Sequence, residues 1–378
     1  MRVAVIADSH FDQSSRWDEC CRVHEWIAVW CRENAVDIVC LSGDLFERKS
    51  TPHERTHVAG WLRRLAEHHT VIGVYGNHEA VEDLDVFNLL ATRYPVRFHA
   101  RPAVVLGASN RGAGLTVMCL PWPRKAHLAA ALGAVSLEAA GLAAGEALRS
   151  VLRGLGQQAD AHPGPRLLLT HAMVRGSMTS AGQPLVGCDL EVSLEDLDLA
   201  RADAVALGHV HRQQAWVLDS GAPAIYPGSP RRTSFGEVEP KGFVVLDFDE
   251  HHSVSWERVE TPCAPMLLVS ATWEPGALRW AGVVGPLEGA EIRLRYSVAN
   301  DQRDAARDAA GLLRAEWIAA GACVVKVEEE VITTQRARAP EIAAALTIED
   351  KLRALWARQG IEGERVERLL GRVGHLNS

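Results

Sequence analysis

A layered α/β domain is what the hydrophobic pattern of this chain dictates. Continuous apolar runs at Arg2 to Ala7, Asp37 to Ser42, Thr70 to Tyr75, Arg166 to Thr170 and Ala202 to Leu207 read as short strands buried on both faces. Segments of helical period lie between the early ones, and alternation of strand with helix is the mark of layered α/β proteins. Each run stops at a side chain able to bind a metal: Asp8-Ser9-His10, Gly43-Asp44, Gly76-Asn77-His78-Glu79, His171 and Gly208-His209-Val210-His211. Ligands at the ends of several such strands converge on one rim of a sheet, which suits a two-metal site.

The elements follow in order. Trp17 to Asn34 carries Cys20, Val23, Ile27, Trp30 and Cys31 at helical spacing, with polar residues between. Thr51-Pro52-His53-Glu54 is a capping box with proline at the first helical position. It opens a helix whose Val58, Trp61, Leu62 and Leu65 share a face. Ala126 to Gln158, rich in alanine and leucine, predicts one or two helices before the Pro163-Gly164-Pro165 break. Ala224 to Glu260 reads as antiparallel, with runs at Ala224 to Tyr226, Gly242 to Phe248 and Val254 to Val259.

The segment Thr261-Pro262-Cys263-Ala264-Pro265 predicts a boundary between residues 1–260 and a small α/β domain over 261–335. Strands are expected there at Met266 to Thr272, Glu291 to Val298 and Cys323 to Val331, with a helix from about Asp301 to Ala320. Residues 340–378 predict a helical hairpin: Thr347 caps the first helix, Gly360 ends it, and Val366, Leu369, Leu370 and Val373 stripe the second. Two short helices cannot form a core alone, so they pack on their own body or on a partner.

A chain of 378 residues exceeds one typical domain, and 47% apolar with 23% charged residues is ordinary for a globular protein. A net charge of -8 gives no global attraction for a polyanion. A nucleic-acid role would therefore rest on local basic patches, bound cations or a basic partner. The eight cysteines show no C-x-x-C spacing, and Cys40 and Cys119 sit inside apolar runs, so reduced thiols are expected rather than disulfides or zinc. With no signal peptide and no run of membrane-spanning length, the expected location is cytoplasmic.

Asp8 and His10 lie two apart and share a side of an extended segment, as do His209 and His211. Asp44 follows the small Gly43 and could bridge two ions, Asn77 offers an amide oxygen, and His171 a further nitrogen. Mixed nitrogen and oxygen ligation without thiolate suits Mn²⁺, Fe²⁺ or Zn²⁺ more than Ca²⁺. The chain has 16 histidines, and those outside these motifs read as surface or satisfied core residues.

In this order, the five motifs resemble those of the calcineurin-like metallophosphoesterase superfamily. More narrowly, the chain resembles the SbcD-type (meiotic recombination eleven-like) nuclease subunit of the DNA double-strand-break repair complex. The run from Gly208-His209-Val210-His211-Arg212 through Tyr226-Pro227-Gly228-Ser229-Pro230, Arg231-Arg232 and Phe235-Gly236-Glu237 to Lys241-Gly242-Phe243 carries that narrower match, and the small domain and tail fit its layout. The resemblance implies a four-layer α/β/β/α sandwich with a small α/β capping domain and a C-terminal helical hairpin. It implies two divalent ions, Mn²⁺ foremost, with Fe²⁺, Zn²⁺ or Mg²⁺ as alternatives. One ion would be held by Asp8, His10, Asp44 and His211, the other by Asp44, Asn77, His171 and His209. His78 would be catalytic rather than a ligand. Glu47 stands where some relatives carry a second active-site histidine, which puts any transition-state role of that position in doubt.

The reaction expected from this is hydrolysis of a DNA phosphodiester by a hydroxide shared between ions about 3.5–4 Å apart, with His78 as the acid or a stabilising cation. DNA contacts are sought among Arg48, Lys49, Arg124, Lys125, Arg175, Arg212 and, first, Arg231 and Arg232. The resemblance also implies a homodimer, through helices at Pro52 to His68 and about Asp83 to Thr92, within a heterotetramer. The partner is an SbcC-type coiled-coil ATPase, anchored by Leu352, Leu355, Trp356, Leu369 and Leu370 in a helix-in-groove mode. The alternative is a small-substrate metallophosphoesterase, such as a cyclic-nucleotide phosphodiesterase or phosphatase. A non-catalytic scaffold fits least, because every ligand position and His78 are kept.

Overall fold

The computed structural model describes residues 1–108, 114–124, 137–180, 183, 190–281, 285–332, 342, 345–361 and 363–374. The chain begins with β1 (Arg2–Ile6), α1 (Trp17–Glu33), β2 (Ile38–Leu41), α2 (Pro52–Ala66), β3 (Thr70–Val74) and β4 (Val96–His99). Then come β5 (Ala103–Ala108), β6 (Gly114–Leu120), α3 (Leu137–Ala159), β7 (Arg166–His171), β8 (Met173–Val174), β9 (Glu191–Val192) and α4 (Leu194–Asp198). The strands β10 (Ala204–Gly208), β11 (Gln214–Val217), β12 (Pro223–Tyr226), β13 (Gly242–Phe248) and β14 (Val254–Glu260) follow.

These strands make two six-stranded sheets, ordered β14-β13-β1-β2-β3-β4 and β11-β12-β10-β7-β6-β5. In the first, β1 to β4 are parallel, and β13 and β14 add antiparallel to β1. In the second, β6, β7, β10 and β12 are parallel, with antiparallel edges β5 and β11. Parallel strands run their C-terminal ends to one rim, so a motif after each strand joins the others there.

Side chains alternate between faces of a strand, and that alternation builds the layers. Val3, Val5, Ile38 and Cys40 of one sheet meet Val117, Cys119, Leu167 and Leu169 of the other in a shared core. The opposite faces, Ala4, Ile6, Val39 and Leu41, pack under α1 and α2 through Val23, Ile27, Trp61 and Leu62. On the far side Met118, Leu168 and Val205 pack under α3 through Leu148, Leu152 and Leu155. The layer order is helix, sheet, sheet, helix. At α2 the capping box forms in full: Glu54 N donates to Thr51 Oγ1 (3.2 Å) and Thr51 N to Glu54 Oε2 (2.7 Å). Trp61, fully buried, donates its Nε1–H to His24 O (2.8 Å), so its one polar atom is satisfied.

The structure departs from the sequence reading at two places. Residues 83–92 form no α-helix, only a 3₁₀ turn at Asp85–Leu89. Asn88 explains it, since its side chain accepts from Phe98 N (2.6 Å) and donates to Phe98 O (3.1 Å), tying the segment to β4. The Ala224 run is parallel to β10 on one side and antiparallel to β11 on the other. Of the expected helical stretch at 126–158, residues 126–136 lie outside the described part.

The remaining elements are β15 (Met266–Glu274), β16 (Ala277–Trp280), β17 (Glu291–Ala299), α5 (Arg303–Ala319), β18 (Val324–Ile332), α6 (Ile348–Arg358) and α7 (Glu364–Gly374). The four strands form a sheet in the order β16-β15-β17-β18. Contacts divide the chain into a larger unit (Met1–Val269, Gly282–Leu294, Ala315–Lys326) and a smaller one (Ser270–Ala281, Arg295–Arg314, Val327–Ser378). Thr347 caps α6, accepting from Asp350 N (3.1 Å). Among the described residues no helix is long and apolar enough to cross a membrane, and Cys20, Cys21, Cys31, Cys40, Cys119, Cys263 and Cys323 are free thiols.

Candidate metal centre

The loops after β1, β2, β3, β7 and β10 meet at one rim, and they bring together all the ligand types read from the sequence. Asp8, His10 and His211 place nitrogen and oxygen atoms within 4.8 Å of one another, and so do Asp8, Asp44 and His171. His10, Asp44 and His78 form a third such group. Asn77 Oδ1 lies 2.9 Å from His171 Nε2 and 3.0 Å from His209 Nδ1.

The backbone here is strained. Asp8, His10, Asp44 and His209 all have positive φ, at 52°, 46°, 49° and 114°. Non-glycine residues take that conformation at a cost of about 1–3 kcal/mol each, and such outliers gather at functional sites. Close approach adds its own demands. A Cβ on Gly76 would overlap the Asp44 carboxylate, and one on Gly208 would overlap Ser42 O, so both strand ends must be glycine.

Hydrogen bonds fix which nitrogen of each imidazole is bare. His171 Nδ1–H donates to Ser42 O (2.7 Å), leaving the lone pair on Nε2. That Nε2 faces Asn77 Oδ1 and, at 3.3 Å, Asp44 Oδ2. His211 Nδ1–H donates to Glu237 Oε1 (2.9 Å), so its Nε2 is bare, and it faces His10 Nε2 at 3.0 Å. Acceptor atoms therefore crowd together on either side of Asp44, inside a buried cluster, wherever Nε2 is unprotonated. Such contacts are repulsive until a proton or a cation lies between them. The donor set, carboxylates, one amide oxygen and imidazoles, fits divalent cations of the Mn²⁺, Fe²⁺ and Zn²⁺ kind.

Electrostatics agree with a site built for positive charge. Burial opposes the charge on His171, but Asp44 and Asp8 outweigh it and raise the imidazole to about 9. Burial likewise opposes the Asp44 carboxylate, yet His171, His10 and His78 hold it below its usual range. Burial, with His171 adding, pushes His209 down to about 3 and keeps it neutral. Burial also raises Asp8.

The outer contacts hold the rim in shape. Glu79 is buried and accepts from Gly76 N (2.6 Å), Asp44 N and Phe46 N (both 3.1 Å), binding the loops after β2 and β3 together. Asp8 accepts from His209 N (2.9 Å), which ties the two sheets. His78 N donates to Asp44 Oδ1 (3.0 Å) and its Nδ1–H to Glu47 O (2.5 Å). Its Nε2 is 3.9 Å from Asp44 Oδ2, and the ring is partly open to solvent. Glu47 Oε2 lies 2.7 Å from His10 Nδ1.

The two arginines expected to reach DNA phosphates are placed differently. Arg231 is 2% exposed and donates Nη2–H to His10 O (2.7 Å). Arg232 donates to Glu237 O (2.9 Å), Glu239 O (3.0 Å) and Ala264 O (3.4 Å). Arg232 is thus spent within the protein, on carbonyls and the Cys263 thiol (3.1 Å). Nε and Nη1 of Arg231, in contrast, have no hydrogen-bond partner among the described residues, and the residue lines a cavity with His10, His78 and His211. Arg48 is paired with Asp12 at 2.8 Å, and Lys125 lies outside the described residues.

Residues that composition and spacing did not single out complete the site. Glu237, itself buried, takes His211 Nδ1–H, Thr233 Oγ1–H (2.7 Å), Thr233 N–H (3.0 Å) and Lys241 Nζ–H (2.8 Å). Trp122 lies against His209, with ring centroids 4.8 Å apart, and edge-on to His171 at 5.7 Å. Phe235-Gly236-Glu237 belongs to the run that carries the family resemblance, but nothing local assigns Glu237 a partner, and a lone Trp between prolines carries no periodic signal.

The geometry defines a class first: an α/β/β/α hydrolase fold with clustered metal-ligand side chains on the rim of two facing sheets. Residues 1–251 match the family model described as the calcineurin-like phosphoesterase superfamily domain, and the chain belongs to that superfamily. Its members are hydrolases of phosphoesters that use divalent metals. The chain is similar to the DNA double-strand break repair protein Mre11 of Methanopyrus kandleri, 24% identical over 282 residues. That match covers 69% of this chain but only 57% of the relative, so the chain spans little more than half of that protein's length. Among solved structures, a putative 5'-nucleotidase from Staphylococcus aureus overlaps 69% of this chain and 53% of its own (TM-score 0.43, 17% identity). A dimetal phosphatase from Danio rerio overlaps 69% and 97% (TM-score 0.42, 12% identity).

Proposed function

We propose that this chain is a DNA nuclease subunit that hydrolyses phosphodiesters with two divalent cations, Mn²⁺ foremost. Asp8, His10, Asp44 and His211 would hold one cation, and Asp44, Asn77, His171 and His209 the other. The observation that carries the reading is the pair of close ligand-atom contacts flanking Asp44, His10 Nε2 to His211 Nε2 at 3.0 Å and His171 Nε2 to Asn77 Oδ1 at 2.9 Å. When bound, such cations supply charge neutralisation on the phosphoryl oxygens and a water acidic enough to attack near neutral pH.

The protein's own groups do the rest. Asp44 and Asp8 set the negative field that holds the site together. His78, fixed through Nδ1 by Glu47 O, directs Nε2 toward the cluster. In its doubly protonated form that nitrogen donates to the departing sugar oxygen. DNA as substrate draws support from the Mre11 relative and from the Gly208 to Phe243 run described above. In this reading 261–335 is the capping domain and 340–378 docks on an SbcC-type coiled-coil ATPase, in a heterotetramer with two copies of this chain, in the cytoplasm. Of the proposed anchors, Leu355 on α6 is 37% exposed and Leu352, Trp356 and Leu369 are half-buried, whereas Leu370 on α7 is buried.

The test offers purified protein with Mn²⁺ linear duplex DNA, hairpin DNA, a chromogenic phosphodiester and a phosphomonoester. DNA cleavage that falls about 10²–10⁴-fold in His78→Gln, with metal content unchanged, is the expected result. Turnover of the phosphomonoester alone would move the protein to the small-substrate class.

A further inference from the structure

Beside the ligand cluster lies a cavity of about 450 Å³ that none of the proposed metal ligands lines. It shares two walls with the cluster. Gly76 abuts the Asp44 carboxylate, and Trp122 has its ring against His209. A group filling the cavity would therefore lie next to the ligand cluster, with Trp122 among its walls.

We propose that this cavity is a nucleobase subsite, with Trp122 as its stacking platform; the proposal rests on the phosphodiesterase reading above. The wall chemistry suits a base. Pro121, Pro123 and Val151 add apolar surface around the indole, and every nucleobase offers a π-face to such a platform. Two carboxylates line the cavity, Asp85 and Glu82, matching the exocyclic amino groups of adenine, cytosine and guanine. Asp85 is already ordered, since it accepts the Tyr75 hydroxyl (2.8 Å), and that hydroxyl accepts Leu84 N–H (2.8 Å). The exposed Arg101 and Arg124 also line the cavity, where the next phosphate of a strand would pass. A free inorganic phosphate or an aliphatic phosphodiester would leave the indole and these carboxylates without partners. Trp122 is then a specificity-determining residue.

The experiment measures binding of deoxyadenosine 5'-monophosphate and of deoxyribose 5-phosphate to the Mn²⁺-loaded full chain, with DNA cleavage assayed in parallel. Wild type should bind the base-bearing ligand about tenfold tighter or more, since stacking on an aromatic side chain gives gains of that order. The preference should collapse toward one in Trp122→Ala and persist in Trp122→Phe. Val151→Phe, which fills the cavity from α3, should reduce it as well. Equal affinity for the two ligands in wild type overturns the subsite, whatever the protein hydrolyses. So does a Trp122→Ala protein in which both affinities fall by the same factor, because Trp122 would then merely support His209. Base preference with no DNA cleavage would support the subsite and count against the nuclease reading.

Discussion

His211 can serve as a ligand through Nε2 only if its proton sits on Nδ1, and Glu237 selects that tautomer. Carboxylate partners of ligand imidazoles set ring orientation and basicity, and losing one typically costs about 10–100-fold in metal affinity. Glu237→Ala should weaken Mn²⁺ binding by that factor in a calorimetric titration, and unchanged affinity would remove Glu237 from the site. His171 sets the pH dependence. In the metal-free protein Asp44 and Asp8 overcome burial and hold its imidazole near 9. A cation on Nε2 must displace that proton, so apparent affinity should rise about tenfold per pH unit up to 9 and level off above. The sign for stability is opposite. A raised histidine stabilises the metal-free fold fully below its unfolded value, and that contribution is lost as pH climbs through 9. Thermal midpoints of chelated and Mn²⁺-loaded protein should therefore diverge as pH rises from 7 to 9.

At the level of elements, strand ends do the positioning. Gly208 closes β10 against Ser42 O at the end of β2, so Gly208→Ala forces the two sheets apart at the rim. Overpacking of this kind costs about 1–3 kcal/mol, and both the melting temperature and Mn²⁺ affinity should fall together. Central strands were legible because parallel strands buried on both faces read as unbroken apolar runs: β1, β2, β3, β7 and β10 lie where those runs do. Edge strand β11 was not, since its apolar run Ala215 to Leu218 is short and its residues alternate only between half-buried and exposed. Asn88 likewise replaced an expected helix with a short turn through bonds to Phe98, a contact that no local pattern encodes. The same limit applies to Arg231 and Arg232. After a Gly-Ser turn both look like phosphate contacts; only tertiary structure shows Arg232 taken up by carbonyls of Glu237, Glu239 and Ala264, and Arg231 buried with one bond to His10 O.

On the scale of the whole molecule, the site straddles two sheets. Asp8 and Asp44 end strands of one, while His171, His209 and His211 end strands of the other. Cations held there, as proposed, would clamp the sandwich. At 100 times the dissociation constant such a ligand adds about 2.7 kcal/mol, so chelation should lower the melting temperature by roughly 5–10 °C. The ligand types were readable because they close successive strands in a fixed order. Trp122 was not, and Glu237 stood in a quoted run without a role, because both roles arise only once the fold brings them to the histidines. The most direct test is anomalous diffraction at the manganese edge from crystals of the full chain grown with Mn²⁺. Two peaks about 3.5–4 Å apart on either side of Asp44 are predicted, one within reach of His10 and His211, the other of His171 and Asn77. A rim without anomalous density, or manganese bound only elsewhere on the protein, would contradict it.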